Sequence, residues 1–160
     1  MEVTGFVTAL ATLLLVAGCS PMEVACTEIG ASPGVSVTVE EAIAADVEAV
    51  RLTVCWDGKC DDHNVQLFAG GDTVDQGCDG GDPNSACSAT AVPNGTKVGF
   101  AEVPGLPTGT ITIGATVRRA GKERVLPKID THAEPTFPNG PQCGPQGTQA
   151  QVVVGASGLR

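Results

Sequence analysis

Four segments of the chain alternate between apolar and polar positions, and each predicts a half-buried β-strand. Val35, Val37 and Val39 point one way, while Ser36, Thr38 and Glu40 point the other. Val50, Leu52, Val54 and Trp56 share a face opposed by Arg51, Thr53 and Cys55, so Trp56 reads as a core residue by parity. Ile111, Ile113, Ala115 and Val117 alternate with Thr110, Thr112, Gly114 and Thr116. Ala150, Val152 and Val154 alternate with Gln149, Gln151 and Val153. Weaker signals add a strand beginning near Val98 and Phe100, and another over Arg124 to Ile129. Pro127 marks the latter as an edge, because proline cannot donate to a ladder. Residues 40 to 46 fit either a helical turn or a loop. Residues 69 to 95 are rich in Gly, Asp, Asn, Ser and Pro, and read as a long loop with at most one short edge strand. Short strands separated by Gly/Pro turns, without a helical period, predict an all-β fold. The expectation is a single antiparallel β-sandwich of about seven strands over residues 34 to 160.

The stretch Val103-Pro104-Gly105-Leu106-Pro107-Thr108-Gly109-Thr110-Ile111-Thr112-Ile113 carries a Gly-Leu-Pro-x-Gly lead-in to a strand. This is similar to transthyretin-like and carboxypeptidase-regulatory-like domains. The resemblance covers about residues 98 to 126. It implies an immunoglobulin-like sandwich of the kind that serves as a non-catalytic module in extracellular proteins.

The amino-terminal pattern is different. An apolar run from about Phe6 to Ala17 ends in Leu13-Leu14-Leu15-Val16-Ala17-Gly18-Cys19. The run is shorter than the roughly 20 residues needed to span a bilayer. Its ending, an aliphatic residue, two small residues and then Cys, resembles the lipobox of bacterial lipoproteins. The residues before it carry no Lys or Arg, where such signals ordinarily hold positive charge. The resemblance implies a lipoprotein signal peptide over residues 1 to 18, cleavage before Cys19, and a diacylglycerol on the Cys19 thiol. The mature chain would then be lipid-anchored to the cell membrane and face its extracytoplasmic side. One acyl chain binds a bilayer only marginally, and a diacylglycerol supplies two at one residue. Residues 20 to 33 mix Ser, Pro, Gly, Ala and Glu, and read as a tether running from Cys19 to residue 33.

Cysteine arithmetic fits export. Of seven cysteines, one is assigned to lipid, which leaves Cys26, Cys55, Cys60, Cys78, Cys87 and Cys143. An even remainder in an exported chain predicts three disulfides, among fifteen possible connectivities. Local geometry ranks these. Cys55-Trp56-Asp57-Gly58-Lys59-Cys60 sets two cysteines symmetrically about Asp-Gly, the favoured pair for a two-residue hairpin turn. Cys55 then faces Cys60 and Trp56 faces Lys59. Continued, this register puts Asp61 and His63 on the apolar face, which predicts a bulge or a longer disulfide-closed loop, with regular pairing only from about Asn64. Cys78 and Cys87 flank a polar loop, where a staple contributes roughly 3 kcal/mol on the loop-entropy model. Cys26 and Cys143 remain as the third pair. No C-x2-C pair is present to suggest thiolate-bound zinc.

Composition narrows function by exclusion. The net charge is −9. There is no basic stripe with interleaved aromatics, so nucleic acid is not an expected partner. The whole chain holds one Trp, four Phe and no Tyr, too few for sugar platforms or a large aromatic-anchored interface. No nucleophile elbow or Ser/His/Asp spacing is found, so no catalytic residue, enzyme activity or cofactor is assigned. The acidic stretch containing Asp72, Asp75, Asp79 and Asp82 is a weak calcium candidate, because calcium takes several oxygen ligands. Its spacing does not match an EF-hand loop. His63 and His132, each beside carboxylates, are a weaker shared metal candidate. The leading expectation is an exported lipoprotein with a non-catalytic structural or interaction role at the cell envelope, with an unidentified protein partner possible. The alternative is an exported calcium- or small-ligand-binding module using the loop 72 to 82.

Overall fold

A computed structural model describes residues 25 to 160 apart from Pro83. Strand β1, Gly34–Val39, is followed by a short helix α1, Glu41–Ala44. Then come β2 (Val47–Trp56), β3 (Lys59–Cys78), β4 (Cys87–Glu102), β5 (Gly109–Arg119) and β6 (Lys122–Pro135). A 3-10 turn at Pro141–Cys143 precedes β7 (Thr148–Gly155) and β8 (Gly158–Leu159). The protein is all-β. Its eight strands form one hydrogen-bonded sheet in the order β1-β4-β3-β2-β5-β6-β7-β8.

That order closes on itself. β1 pairs antiparallel with β4 from Gly34↔Glu102 to Val39↔Lys97. Its other side pairs parallel with β7 from Gly34↔Gln149 to Val39↔Val154. All six residues of β1 therefore have backbone partners on both sides, and two edges that would otherwise be exposed are sealed. The inward faces of the ring form one apolar core. Val35, Val37 and Val39 meet Leu52 and Val54 of β2, Ile111 and Ile113 of β5, and Val152 and Val154 of β7. No polar or charged residue is buried among the described residues. Trp56 is only partly buried, and packs against the rim of this core. Valine dominates the interior because a β-branched side chain fits a pleated surface with little rotamer freedom to lose.

The β2–β3 hairpin keeps the register read from its cysteines. Trp56 pairs with Lys59 and Cys55 with Cys60 about the turn. Asp57 and Gly58 have φ of 49° and 74°, the left-handed values such a turn requires. The expected bulge is absent. Pairing is regular from Trp56↔Lys59 through Val54↔Asp61 and Leu52↔His63 to Val50↔Val65. Residues 59 to 65 pair only with β2, and of the two polar residues on the apolar face Asp61 stands exposed while His63, opposite Leu52, is half-buried.

The largest departure lies at residues 69 to 95. They form the distal parts of β3 and β4 in place of a long loop. Beyond Ala69↔Lys97 these strands pair only with each other, from Gly71↔Pro93 to Cys78↔Cys87. Register shifts at Ala69/Gly71 and Asp75/Gly77 absorb the irregular sequence. Nearly every residue from 71 to 92 is exposed, so the pair is a free-standing arm. The ten-residue step from Lys97 to Cys87 corresponds to roughly 30 Å of strand.

One other strand also runs longer than expected. β6 begins at Lys122 and ends at Pro135, and meets β7 only at Glu134 and Pro135. Pro127 falls in the bulge where the β5–β6 register shifts between Ile113 and Ala115, so its missing donor costs no ladder pair. In β4 the inward positions are Gly99 and Ala101, while Val98 faces out at 38 % exposure. Leu52 is fully buried at the centre of the core. Leu52→Ala should lower unfolding free energy by about 2–5 kcal/mol in urea titration, through lost burial and a residual cavity. Val125→Ala, at a position 76 % exposed, should change it by no more than about 0.5 kcal/mol.

Candidate functional site

The three disulfides join the pairs that local geometry favours: Cys26–Cys143, Cys55–Cys60 and Cys78–Cys87. Cys26–Cys143 closes a sequence separation of 117 residues. Loops of that order contribute about 4.7 kcal/mol on the chain-entropy model. It is reinforced along the segment it ties down. The Asn139 side-chain amide donates to the carbonyls of Thr27 and Ile29, at 2.8 and 2.9 Å. The Ala31 amide donates to the Gln146 carbonyl at 2.9 Å, and Gln149 Nε2 to that of Ser32 at 2.9 Å. From Cys26 to Pro33 the chain is therefore strapped to the domain. Cys19 lies outside the described residues.

This strap and the arm sit at opposite ends of β1. The strap holds the chain beside Gly34, which is level with Glu102 and Gln149. The arm departs beyond Val39 and Lys97. At its root Lys97 Nζ donates to the Val47 carbonyl at 2.7 Å, and Asn94 Nδ2 donates to Asp72 at 2.8 Å. Phe68, 57 % exposed, pairs across the strands with Val98. A cleft of about 270 Å³ lies between α1 and this root, lined by Ala44, Ala45, Leu67, Phe68, Pro93 and Lys97. That is smaller than the usual range for a drug-sized ligand.

The calcium candidates are spread along the arm. Asp72 is level with Val92 and Asp75 with Ala89, while Asp79 and Asp82 lie beyond the disulfide in the tip. Asp72 accepts from Asn94, and Asp75 accepts from the Gly77 amide at 2.7 Å. These two carboxylates support the arm's own backbone. The histidines do not meet either. His63 lies opposite Leu52 on the inner face of β3, and its buried Nε2 has no hydrogen-bond partner. His132 lies opposite Thr110 on the outer face of β6, with β2 and β5 between the two strands. Among the described residues no three His, Cys, Asp or Glu side chains group to hold a metal ion.

Two features escaped the sequence reading. Arg118–Glu48 and Arg119–Asp46 ion pairs, at 3.0 and 2.7 Å, fasten the β5–β6 turn to the start of β2. Both are exposed, so each is worth about 1 kcal/mol or less. The other is a cation on a disulfide. Lys128 Nζ donates to Cys55 Sγ at 3.7 Å, across the outer face of β5. The signal for it was Gly114, the one residue without a side chain in an otherwise threonine-lined face. Beside it, Thr53 donates to Asp62 at 2.6 Å and Thr112 to Asp130 at 2.7 Å.

Comparison with protein-family models, curated proteins and solved structures finds no match to the chain.

A two-stranded ribbon without further layers is marginal in water, so the arm depends on its staple. In a Cys78→Ser, Cys87→Ser variant, hydrogen exchange should lose protection across the arm amides while those of Val50 to Val54 keep theirs. Retained protection in the arm would show that its ladder stands without the disulfide.

Proposed function

We propose that this chain is an exported lipoprotein, anchored through a diacylglycerol on Cys19, and that its domain acts without catalysis as an interaction module at the cell envelope. The ring of strands is read as a flattened sandwich of the immunoglobulin-like kind. In this reading β2, β5, the first half of β3 and β6 as far as Ala133 form one layer, and β1, β4 and β7 the other. The transthyretin-like lead-in at Gly105 to Gly109 belongs to this reading.

The observation that carries it is the arm. A ribbon stapled at its tip and running roughly 30 Å past the last β1–β4 pair, exposed over most of that length, is costly to order. It buries little, so its fixed shape serves something outside the domain. Its direction fits an anchored protein. The step from Cys19 to the strap at Cys26 spans at most about 25 Å when fully extended. An anchor there holds the strap end near the bilayer and points the arm away from it. Three disulfides accord with an oxidising compartment outside the cytoplasm.

Anchor and arm are tested separately. Intact mass of the membrane fraction should show a chain beginning at Cys19, carrying a diacylglycerol, with all six remaining cysteines oxidised. Cys19→Ser should move the protein out of that fraction, and a mature chain that retains residues 1 to 18 would refute the anchor. For the arm, a photo-crosslinking residue at position 74 should capture a defined partner on intact cells, and one at position 125 should not. Val74 is 43 % exposed and Val125 76 % exposed, so equal capture at both would show that exposure alone governs it.

A further inference from the structure

We propose that Cys55–Cys60 is a thiol–disulfide exchange site, in which an external thiol attacks Cys60 and Lys128 stabilises the departing Cys55 thiolate. The inference rests on the disulfide and its neighbours, and is independent of the anchor at Cys19.

The protein offers its own comparison. Cys55–Cys60 and Cys78–Cys87 both join directly opposed residues of antiparallel strands, with Cα–Cα distances of 4.0 and 3.9 Å. Their surroundings differ. From Asp61 to Thr96 there is no Lys or Arg, and the arm around Cys78–Cys87 carries Asp72, Asp75, Asp79 and Asp82. Negative charge repels an incoming thiolate and disfavours an outgoing one. At the other disulfide an ammonium group lies 3.7 Å from the Cys55 sulfur.

The path of Lys128 is built into the fold. β6 bulges opposite β5, where the register passes from Ile113↔Ile129 to Ala115↔Leu126. This bulge contains Pro127 and Lys128. Lys128 then lies along Gly114, where a Cβ would sit 3.1 Å from its Cγ and 3.6 Å from its Cε. The absent side chain gives the lysine a channel to Cys55, which pairs with Thr112 two residues along β5. The acids on the same face, Asp62 and Asp130, accept from Thr53 and Thr112. Asp57 lies in the turn itself, and Lys59 and Asp61 follow it. Cys60 is exposed and Cys55 half-buried, so a reagent reaches Cys60 first.

The chemistry balances as follows. A thiolate forms a bond to Cys60 Sγ, the Cys55–Cys60 bond breaks, and its electron pair leaves on Cys55 as a thiolate beside the Lys128 ammonium. With a dithiol, the second sulfur displaces Cys60 and closes its own disulfide. The reagent is oxidised by two electrons, and the cysteine pair is reduced by two. A substrate of matching class is an extracytoplasmic dithiol, small or protein-borne. Opening this bond unties the shortest of the three loops, with a sequence separation of 5, and leaves the regular β2–β3 ladder in place.

The test uses limiting dithiothreitol with the purified protein, acid quenching at intervals, and maleimide tagging read by peptide mass spectrometry. Cys55 and Cys60 should be tagged about ten-fold faster than either other pair. Lys128→Met should slow that reduction about three-fold or more, and Lys128→Arg should retain most of the rate. Gly114→Val keeps the charge but closes the channel, and should slow reduction like Lys128→Met. With glutathione, the adduct should form on Cys60. Adducts on Cys55, equal rates for the two cross-strand disulfides, or no effect of Lys128→Met would each overturn the proposal. Should Gly114→Val fail to fold, Lys128→Met and the adduct position decide it.

Discussion

The double pairing of β1 is the constraint on which the rest of the structure depends. Six residues serve β4 on one side and β7 on the other, so the sheet has no break where its first and last long strands meet. Their inward valines fill the core from both directions. Because β1 holds this place, the strap before it must leave at one end of the ring and α1 after it at the other. β4 is fixed against it only from Lys97 to Glu102, and the remainder of that strand is obliged to run past the core. The arm follows from a strand longer than the partner that anchors it.

Edges left open by this arrangement are blunted in recognisable ways. β6, which meets β7 only at Glu134 and Pro135, is bent by a bulge against β5 that contains Pro127, and such a strand offers a less regular row of donors to another chain. The arm has two register shifts and Pro93 within its paired segment. It also carries four aspartates and no cation before Lys97, so two arms repel each other. These devices oppose indiscriminate strand addition. They leave the exposed faces, with Phe68, Val74, Val92 and Val98, as the surfaces open to a partner.

The strands whose alternation is strict were legible in the sequence because one face of each is buried along its whole length. Val35 to Val39, Val50 to Val54 and Ile111 to Val117 all belong to this class. The arm was not legible, because neither of its faces is buried and no hydrophobic period marks it. Its pairing is held by Cys78–Cys87, by Asn94 on Asp72 and by backbone hydrogen bonds, so its Gly/Asp composition mimicked a loop. The supposed bulge after Cys60 failed for a related reason. The sequence shows which side of a strand a residue occupies, and does not show how far along the strand the core reaches. Asp61 keeps the parity of Val54 and still reaches water. The disulfide pairs were accessible because Asp-Gly symmetry and loop polarity are local properties. The cation over one of them was not, since Lys128 and Cys55 meet only through a bulge and a missing side chain on the strand between them.

Two disulfides with nearly the same span therefore call for different treatment. Cross-strand spacing is a property of the ladder, and both bonds inherit it from directly opposed residues. What a sulfur does next depends on the charge it can shed and on who can approach it. At the arm tip a staple is needed, since little else orders the ribbon, and an acidic setting keeps thiolates away. At Cys55–Cys60 the two-residue turn and six further residue pairs already define the hairpin, so the bond is not required for its register. A covalent link that adds little to local order, set on an exposed edge and faced by a lysine threaded over a glycine, has a setting suited to exchange. The separation of the two roles is written in the residues around the cysteines, and their spacing along the chain does not reveal it.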